Sequence, residues 1–340
     1  MNPPQLILEC GATHGGFEGA LDLILEASKQ GGDFIKFQIF DPEELCQDPT
    51  QTFSWVDSKG TTHCRNLREL LQERRLTYSQ WAALIRKAKE VGIGFIATVG
   101  NLEDVDFLTE LDDDVSGIKI SSADINHIYL IDQITMCFFK DIHVDTGNAV
   151  SRDIQRVIDI VGSDRLVLHY CPKGYPCPDL ELNLSRIHAL KKEFPGIRIA
   201  YSDHGKGTRA CLAAVALGVS HIEKVLTRNS SDSGIEHCMG IECHEIRSLQ
   251  QEILEVSRLM GSPVQWSPKI NPEIRRGIYA KRTLYAGEIL GMEDISFRRP
   301  ERVEGFPADQ YRNVLSAVVR NDIEKGQLIA KDDIYHPYML

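Results

Sequence analysis

Eight short β-branched or apolar runs recur along the first three quarters of the chain, and each is followed by a longer stretch in which apolar residues take helical spacing. The runs are Gln5–Cys10, Phe34–Ile39, Gly94–Val99, Gly117–Ser122, Ile142–Gly147, Arg165–Tyr170, Arg198–His204 and His221–Thr227. Strands and helices that alternate in this way pair in parallel, because each return path is occupied by a crossover helix. Eight units over about 260 residues match a closed (β/α)8 TIM barrel; a doubly wound sheet has fewer strands and a Gly-rich dinucleotide turn. Among the intervening stretches, one carries Leu21, Ile24, Leu25 and Ser28 on one face. A second carries Trp81, Leu84, Ile85 and Ala88 and is opened by Thr77 and Gln80 in a capping-box pattern. The stretch 207–218 is small and apolar almost all round, as tight packing against a barrel requires.

The chain has 340 residues, more than one hydrophobic core usually supports, so a small second domain is expected after the barrel. A Pro- and Ser-containing stretch from Gly261 to Pro272 has no periodicity and reads as a linker. We therefore divide the chain into a barrel over 1–263, a linker over 264–275 and a compact β-rich module over 276–340. That module contains an internal echo: the pattern from Leu284 through Gly287 to Ile295 returns from Ile323 through Gly326 to Ile334.

Charge and cysteine usage narrow the function. With 38 basic against 49 acidic residues the net charge is −11, and no basic run is interleaved with aromatics, so nucleic acid is not an expected partner. The first run begins without a basic and apolar leader, and no apolar stretch approaches the ~18 residues of a membrane span. A cytoplasmic protein with no membrane partner is the expectation. Nine cysteines, an odd number scattered through strands and helices, read as reduced thiols. The pairs His237-Cys238 and Cys243-His244 lack the usual spacing of a zinc site.

Barrel enzymes build their sites at the C-terminal ends of the strands, and here those ends are polar. The first run gives Glu9 and then Cys10-Gly-Ala-Thr-His14-Gly-Gly; the second gives Lys36 and Gln38; the fourth gives Lys119-Ile-Ser-Ser122. The seventh gives Tyr201-Ser202-Asp203-His204, and the eighth Glu223-Lys224. Lysines inside apolar strands call for a reason, since an unpaired buried ammonium costs several kcal/mol. Glu9 and Glu223 supply either a structural pairing network for them or catalytic carboxylates, and the residues alone leave both open.

This set, in this order, resembles the sialic acid synthase family. The resemblance runs into the final module, which is similar to the antifreeze-like (SAF) domain of those synthases, with Phe297-Arg298-Arg299-Pro300 against their Lys-Arg-Pro. It implies condensation of phosphoenolpyruvate with the aldehyde of an N-acylmannosamine-like amino sugar, giving a nonulosonic acid and phosphate. On that resemblance Lys36, Lys119, Ser122 and Ser202 bind phosphoenolpyruvate, while Gln38, Tyr175, Glu223 and Glu236 face the sugar. Glu9 is the proton-transferring carboxylate, and His204 is both a catalytic residue and a ligand of a divalent metal, Mn2+ or Mg2+. Arg299 is lent to the sugar by the SAF domain of a second copy, in a domain-swapped homodimer.

Three departures from the family pattern bear on chemistry. Val225 stands where the second metal-binding His is expected, which leaves Glu236 or His237 as replacement ligands. Asp145 stands where the family has Ser, beside the phosphoenolpyruvate pocket, with Lys173 as the nearby compensating charge. Thr13 replaces an Asn before His14. A catalytically silent paralogue that binds a sugar or pairs with an active synthase is the alternative reading.

Overall fold

The computed structural model describes residues 2–261 and 269–337. Residues 264–268 of the expected linker lie outside the described residues, and 269–276 carry neither helix nor strand. The chain divides into two compact units, Met1–Ser262 and Pro263–Leu340. No helix among the described residues is long and apolar enough to cross a membrane.

The first unit contains β1 (Gln5–Glu9), β2 (Phe34–Gln38), β3 (Thr52–Val56), β4 (Thr62–Asn66), β5 (Gly94–Thr98), β6 (Gly117–Ile120), β7 (Asp141–Asp145), β8 (Leu166–Tyr170), β9 (Arg198–Asp203), β10 (His221–Thr227) and β11 (Ile241–Glu242). Strands β1, β2 and β5 to β10 pair in parallel in that order, and β10 returns to β1, closing the eight-stranded barrel. All eight runs of the sequence form strands of that barrel. The eight-run pattern does not anticipate the antiparallel hairpin β3–β4, whose short strands are mostly exposed and polar.

Side chains alternate across each strand. One parity, including Leu6, Leu8, Ile35, Phe37, Ile118, Ile142, Leu168 and Ile222, is buried in a single apolar cluster with the surrounding helices. The helix Phe17–Lys29 turns its small residues Gly19, Ala20 and Ala27 inward together with Leu23 and Ile24, whereas Leu25 is exposed. The expected face was displaced because small side chains admit close approach to the sheet. The capping box at Thr77 and Gln80 forms at the start of the helix Tyr78–Glu90.

The second unit holds β12 (Gly277–Ala280), β13 (Ile295–Arg298), β14 (Val318–Val319) and β15 (Ile334–Tyr335), paired antiparallel as β12–β13 and β14–β15. The sequence echo is a structural one. Leu284 and Ile323, equivalent positions of the two halves, exchange reciprocal backbone hydrogen bonds of 2.9 Å. The Gly287 amide donates to Val319 as the Gly326 amide donates to Ala280, both at 2.8 Å. Gly287 and Gly326 have φ of 91° and 85°, the left-handed region where glycine is favoured. The halves are thus related by a pseudo-twofold around the Leu284–Ile323 pair, over a core of Ile278, Leu290, Val314, Val319 and Ile329.

Neighbouring residues of one strand point to opposite sides, so Lys224 faces away from the lumen that Glu223 faces. Lys224 Nζ meets Asp203 Oδ2 at 2.7 Å with both side chains fully buried, and Asp203 Oδ1 also accepts from the Gly205 amide and the Tyr201 hydroxyl. This pair anchors the backbone around His204. Lys224→Met strands Asp203 as a buried charge and should cost about 3–5 kcal/mol in denaturant unfolding. Adding Asp203→Asn should recover part of that loss, and an unchanged midpoint in the single variant would refute the assignment.

Candidate active site

The inward parity of the barrel is polar where a packed lumen is ordinarily filled by branched apolar side chains. Glu9 Oε2 lies 2.5 Å from Lys36 Nζ, and Lys36 lies 3.2 Å from Glu223 Oε1. Lys119 Nζ donates to both Glu223 oxygens at 2.7 Å and to Ser202 Oγ at 3.2 Å, and it lies 3.0 Å from Asp145 Oδ2. All of these side chains except Asp145 are nearly inaccessible. The expected lysines and glutamates therefore meet at one end of one barrel, in a continuous charge network that also includes Asp145.

Local backbone aims the carboxylates. The strand β1 ends at Glu9, and the turn that follows brings the Gly11 amide to Glu9 Oε1 at 2.6 Å. A Cβ on Gly11 would sit 2.6 Å from both this oxygen and Gln38 Cγ, so the turn requires glycine. Burial pushes the Glu9 carboxyl up, and the charge of Glu223 adds to this while Lys36 opposes it. Glu223 is also raised by burial, but Lys119 and Lys36 outweigh that and hold it below the usual carboxylate range. Two neighbouring carboxylates are pushed apart in this way, Glu9 toward holding a proton and Glu223 toward permanent charge.

Above this network lies a cavity of about 170 Å³ lined by Glu9, Lys36, Gln38, Ser122, Tyr175, His204, Glu223 and Glu236, with Ser121, Asp145, Cys171 and Val225 among the remaining walls. Lys119 and Ser202 lie beneath it, each 1% exposed. His204 tilts against the Tyr175 ring at 4.7 Å between centroids. The Cys171 thiol, 3.6 Å from Nε2 and 3.9 Å from Nδ1, is the hydrogen-bond partner of its ring nitrogens among the described residues. Burial lowers the His204 pKa, which favours the neutral ring with one nitrogen lone pair.

The hairpin β3–β4 and the loop after β10 buttress the rim. Trp55 packs with Leu70 and Ile235, and its Nε1 donates to the Ser233 carbonyl at 2.8 Å. The Val56 amide donates to the Tyr175 carbonyl at 3.4 Å, and the Cys238 thiol to the Val56 carbonyl at 3.1 Å. Glu236, with φ of 71°, is held in a left-handed turn at this rim. The sequence reading did not single out this buttress, nor His169 in the floor, whose Nδ1 lies 3.0 Å from Ser202 Oγ. His169 shares the inward parity of Val167 and Cys171, the one signal that marks it.

Two expected site residues of the barrel, Lys173 and His237, stand apart from the cavity walls. Lys173 donates to Asn148 Oδ1 at 3.2 Å and lines a separate groove with Thr146, Arg186 and Glu181. His237 follows Glu236 but turns its Nδ1 to the Thr227 hydroxyl at 2.7 Å. Arg299 belongs to the second unit, where it is exposed.

A divalent ion fits the donors that face the mouth. Glu9, Asp145, Glu223 and Glu236 bring four carboxyl groups around the two ammoniums of Lys36 and Lys119, and a cation that displaces the protons favoured on Glu9 and Glu236 would find oxygen donors beside the neutral imidazole of His204. Val225, inward and 2% exposed beside them, offers no ligand.

The NeuB family model matches residues 23–265 and the SAF domain model residues 275–334. The chain is 29% identical over 339 residues to the N,N'-diacetyllegionaminic acid synthase of Campylobacter jejuni, covering 97% of this chain and 99% of that protein. It is 28% identical over 344 residues to the N-acetylneuraminate-9-phosphate synthase of Homo sapiens, covering 97% and 92%. Among solved structures, the N-acetylneuraminic acid (sialic acid) synthetase of Leptospira borgpetersenii in complex with citrate matches with a TM-score of 0.69 at 27% identity, over 79% of this chain and 88% of that one.

Burial first, and the Glu9 charge second, push Glu236 up to about 7. The fold thus favours its neutral form, and the stability cost of ionising it grows as pH rises from the ordinary glutamate range through 7. Glu236→Gln removes that cost. The variant should match the parent below pH 4 and exceed it by about 1–3 kcal/mol at pH 8 in urea unfolding. Equal stability at both pH values would contradict the buried environment assigned to Glu236.

Proposed function

We propose a reaction for this chain, which belongs to the NeuB family: it condenses phosphoenolpyruvate with the aldehyde of an N-acylated amino sugar and releases phosphate and a nonulosonic acid. The observation that carries this reading is the convergence of Lys36, Lys119, Ser122, Ser202, His204 and two pKa-separated glutamates at one barrel mouth. Lys36 and Lys119 meet the charges of phosphoenolpyruvate, the Ser122 hydroxyl adds a neutral hydrogen bond, and Ser202, whose proton goes to Asp145, supports Lys119 from beneath the anion. Gln38, Tyr175 and Glu236 orient the sugar.

Carbon 3 of phosphoenolpyruvate attacks the aldehyde carbon, the carbonyl π pair becomes an alkoxide, and water adds at carbon 2 before phosphate leaves. Glu9 delivers a proton to the alkoxide or takes one from the water that adds at carbon 2, and Glu223 keeps both lysines charged while it does so. A divalent cation bound by His204, with Glu236 or Asp145, would polarise the aldehyde oxygen. In this reading Arg299 reaches the mouth of a second copy in a swapped homodimer.

Purified chain incubated with phosphoenolpyruvate, a panel of N-acylated amino-sugar aldehydes and Mn2+ should release phosphate in step with a nine-carbon 2-keto acid detected by mass. Chelator should abolish the release, and Glu9→Gln should slow it by about 10²–10⁴-fold. Release of nothing with any sugar would favour the silent, sugar-binding paralogue instead. Val225→His restores an imidazole at the inward position beside Glu9, so it should tighten Mn2+ binding by at least about tenfold; unchanged affinity would remove His204 from the ligand set.

A further inference from the structure

At the end of the barrel opposite the mouth, β7 and β10 begin with Asp141 and His221, and one turn of the pleat further into the lumen stands His143. Each of the three can offer one ligand atom, and these atoms lie within 4.8 Å of one another. His143 and His221 are 3% and 4% exposed. Gly117, across from Asp141 in the register, leaves the space: a Cβ there would lie 3.3 Å from His143 Nε2.

The direction of the hydrogen bonds decides what this cluster wants. The Ser202 hydroxyl donates its one proton to Asp145 Oδ1 at 3.2 Å, so it accepts from His169 Nδ1 at 3.0 Å. A neutral His169 then has a bare Nε2, which accepts from His143 Nδ1 at 2.8 Å. On the other side the Ser220 hydroxyl donates to the Ile199 carbonyl at 3.2 Å and so accepts from His221 Nδ1 at 3.0 Å. Both imidazoles are thereby fixed as Nδ1–H tautomers, and both Nε2 atoms carry lone pairs. Neither Nε2 has a hydrogen-bond partner among the described residues. The third member, Asp141, is also an acceptor. Arg198 donates to its two oxygens at 2.7 Å each, and every carboxylate oxygen keeps a second lone pair.

We infer that Asp141, His143 and His221 hold a divalent transition metal ion, zinc by ligand type, at the closed end of the barrel. Two imidazoles and a carboxylate, each imidazole held by a second hydrogen bond through its other nitrogen, form a donor set and outer shell suited to zinc, with an open fourth position for water. Zn–N distances of about 2.0–2.1 Å require the ligands to close inward by less than about 1 Å. This ion is separate from any cation at the mouth, and its role is to tie β7 to β10 across the lumen.

The test uses the full chain stripped with chelator and dialysed against Zn2+, with His204→Ala as a second protein in which the mouth site is disabled. Both should retain one tightly held zinc at the closed end, and zinc should raise the melting temperature of both. His221→Val and, as a milder variant, Asp141→Asn should each lose that equivalent while their circular dichroism stays that of the parent. Cobalt in place of zinc should give the visible bands of a four-coordinate site in His204→Ala, and these should vanish in His143→Gln. No bound zinc in His204→Ala, or retention of the same equivalent in a folded His221→Val or Asp141→Asn, would overturn the site.

Discussion

The exchange of charge between Lys36, Lys119 and the carboxylates of Glu9, Glu223 and Asp145 is the constraint on which the rest of the first unit depends. A buried ammonium without partners loses several kcal/mol of hydration, and a buried carboxylate loses as much. Here each lysine is bracketed by acids contributed by different strands, so the network exists only when the barrel is closed in one register. Glu223 sits at its centre because β10 lies beside both β1 and β9.

That network also shapes the chemistry. Lysines saturated by carboxylates are poor anion receptors until something offsets the acids, which is why a cation at the mouth and an anionic substrate belong together in the proposed reaction. The same carboxylates are pushed apart, Glu9 upward by burial and Glu223 downward by the two lysines that outweigh its burial. Asp145 extends the polarity downward through Ser202 and His169 to His143, so one chain of hydrogen bonds spans the lumen.

Much of this was legible from residue order. The eight apolar runs announce the parallel strands because strand ends in a barrel are marked by turns and crossovers, and polar residues at alternate positions mark the lumen. Parity separates Glu223 from Lys224, a distinction the run of letters leaves implicit and the Lys224–Asp203 pair makes plain. The hairpin β3–β4 escaped because its strands bury almost nothing beyond Trp55, leaving no strong apolar alternation to read. Lys173 and His237 were adjacent in sequence to cavity residues but belong to turns whose direction depends on tertiary contacts. Lys173 points to Asn148 and His237 to Thr227. The echo in the second unit was readable as a repeat, and its pseudo-twofold pairing through Leu284 and Ile323 follows from each half lacking a partner for its own edge.

The most direct test is calorimetric titration of phosphoenolpyruvate into the full chain and into Lys119→Met, both with saturating Mn2+. Lys119 makes its charged contacts from beneath the cavity floor, so its removal should weaken the affinity by about 10–100-fold, the value of one charge-assisted hydrogen bond. Equal affinity in the two proteins, with the variant folded, would mean that the buried ammonium serves only the barrel and that the anion binds elsewhere.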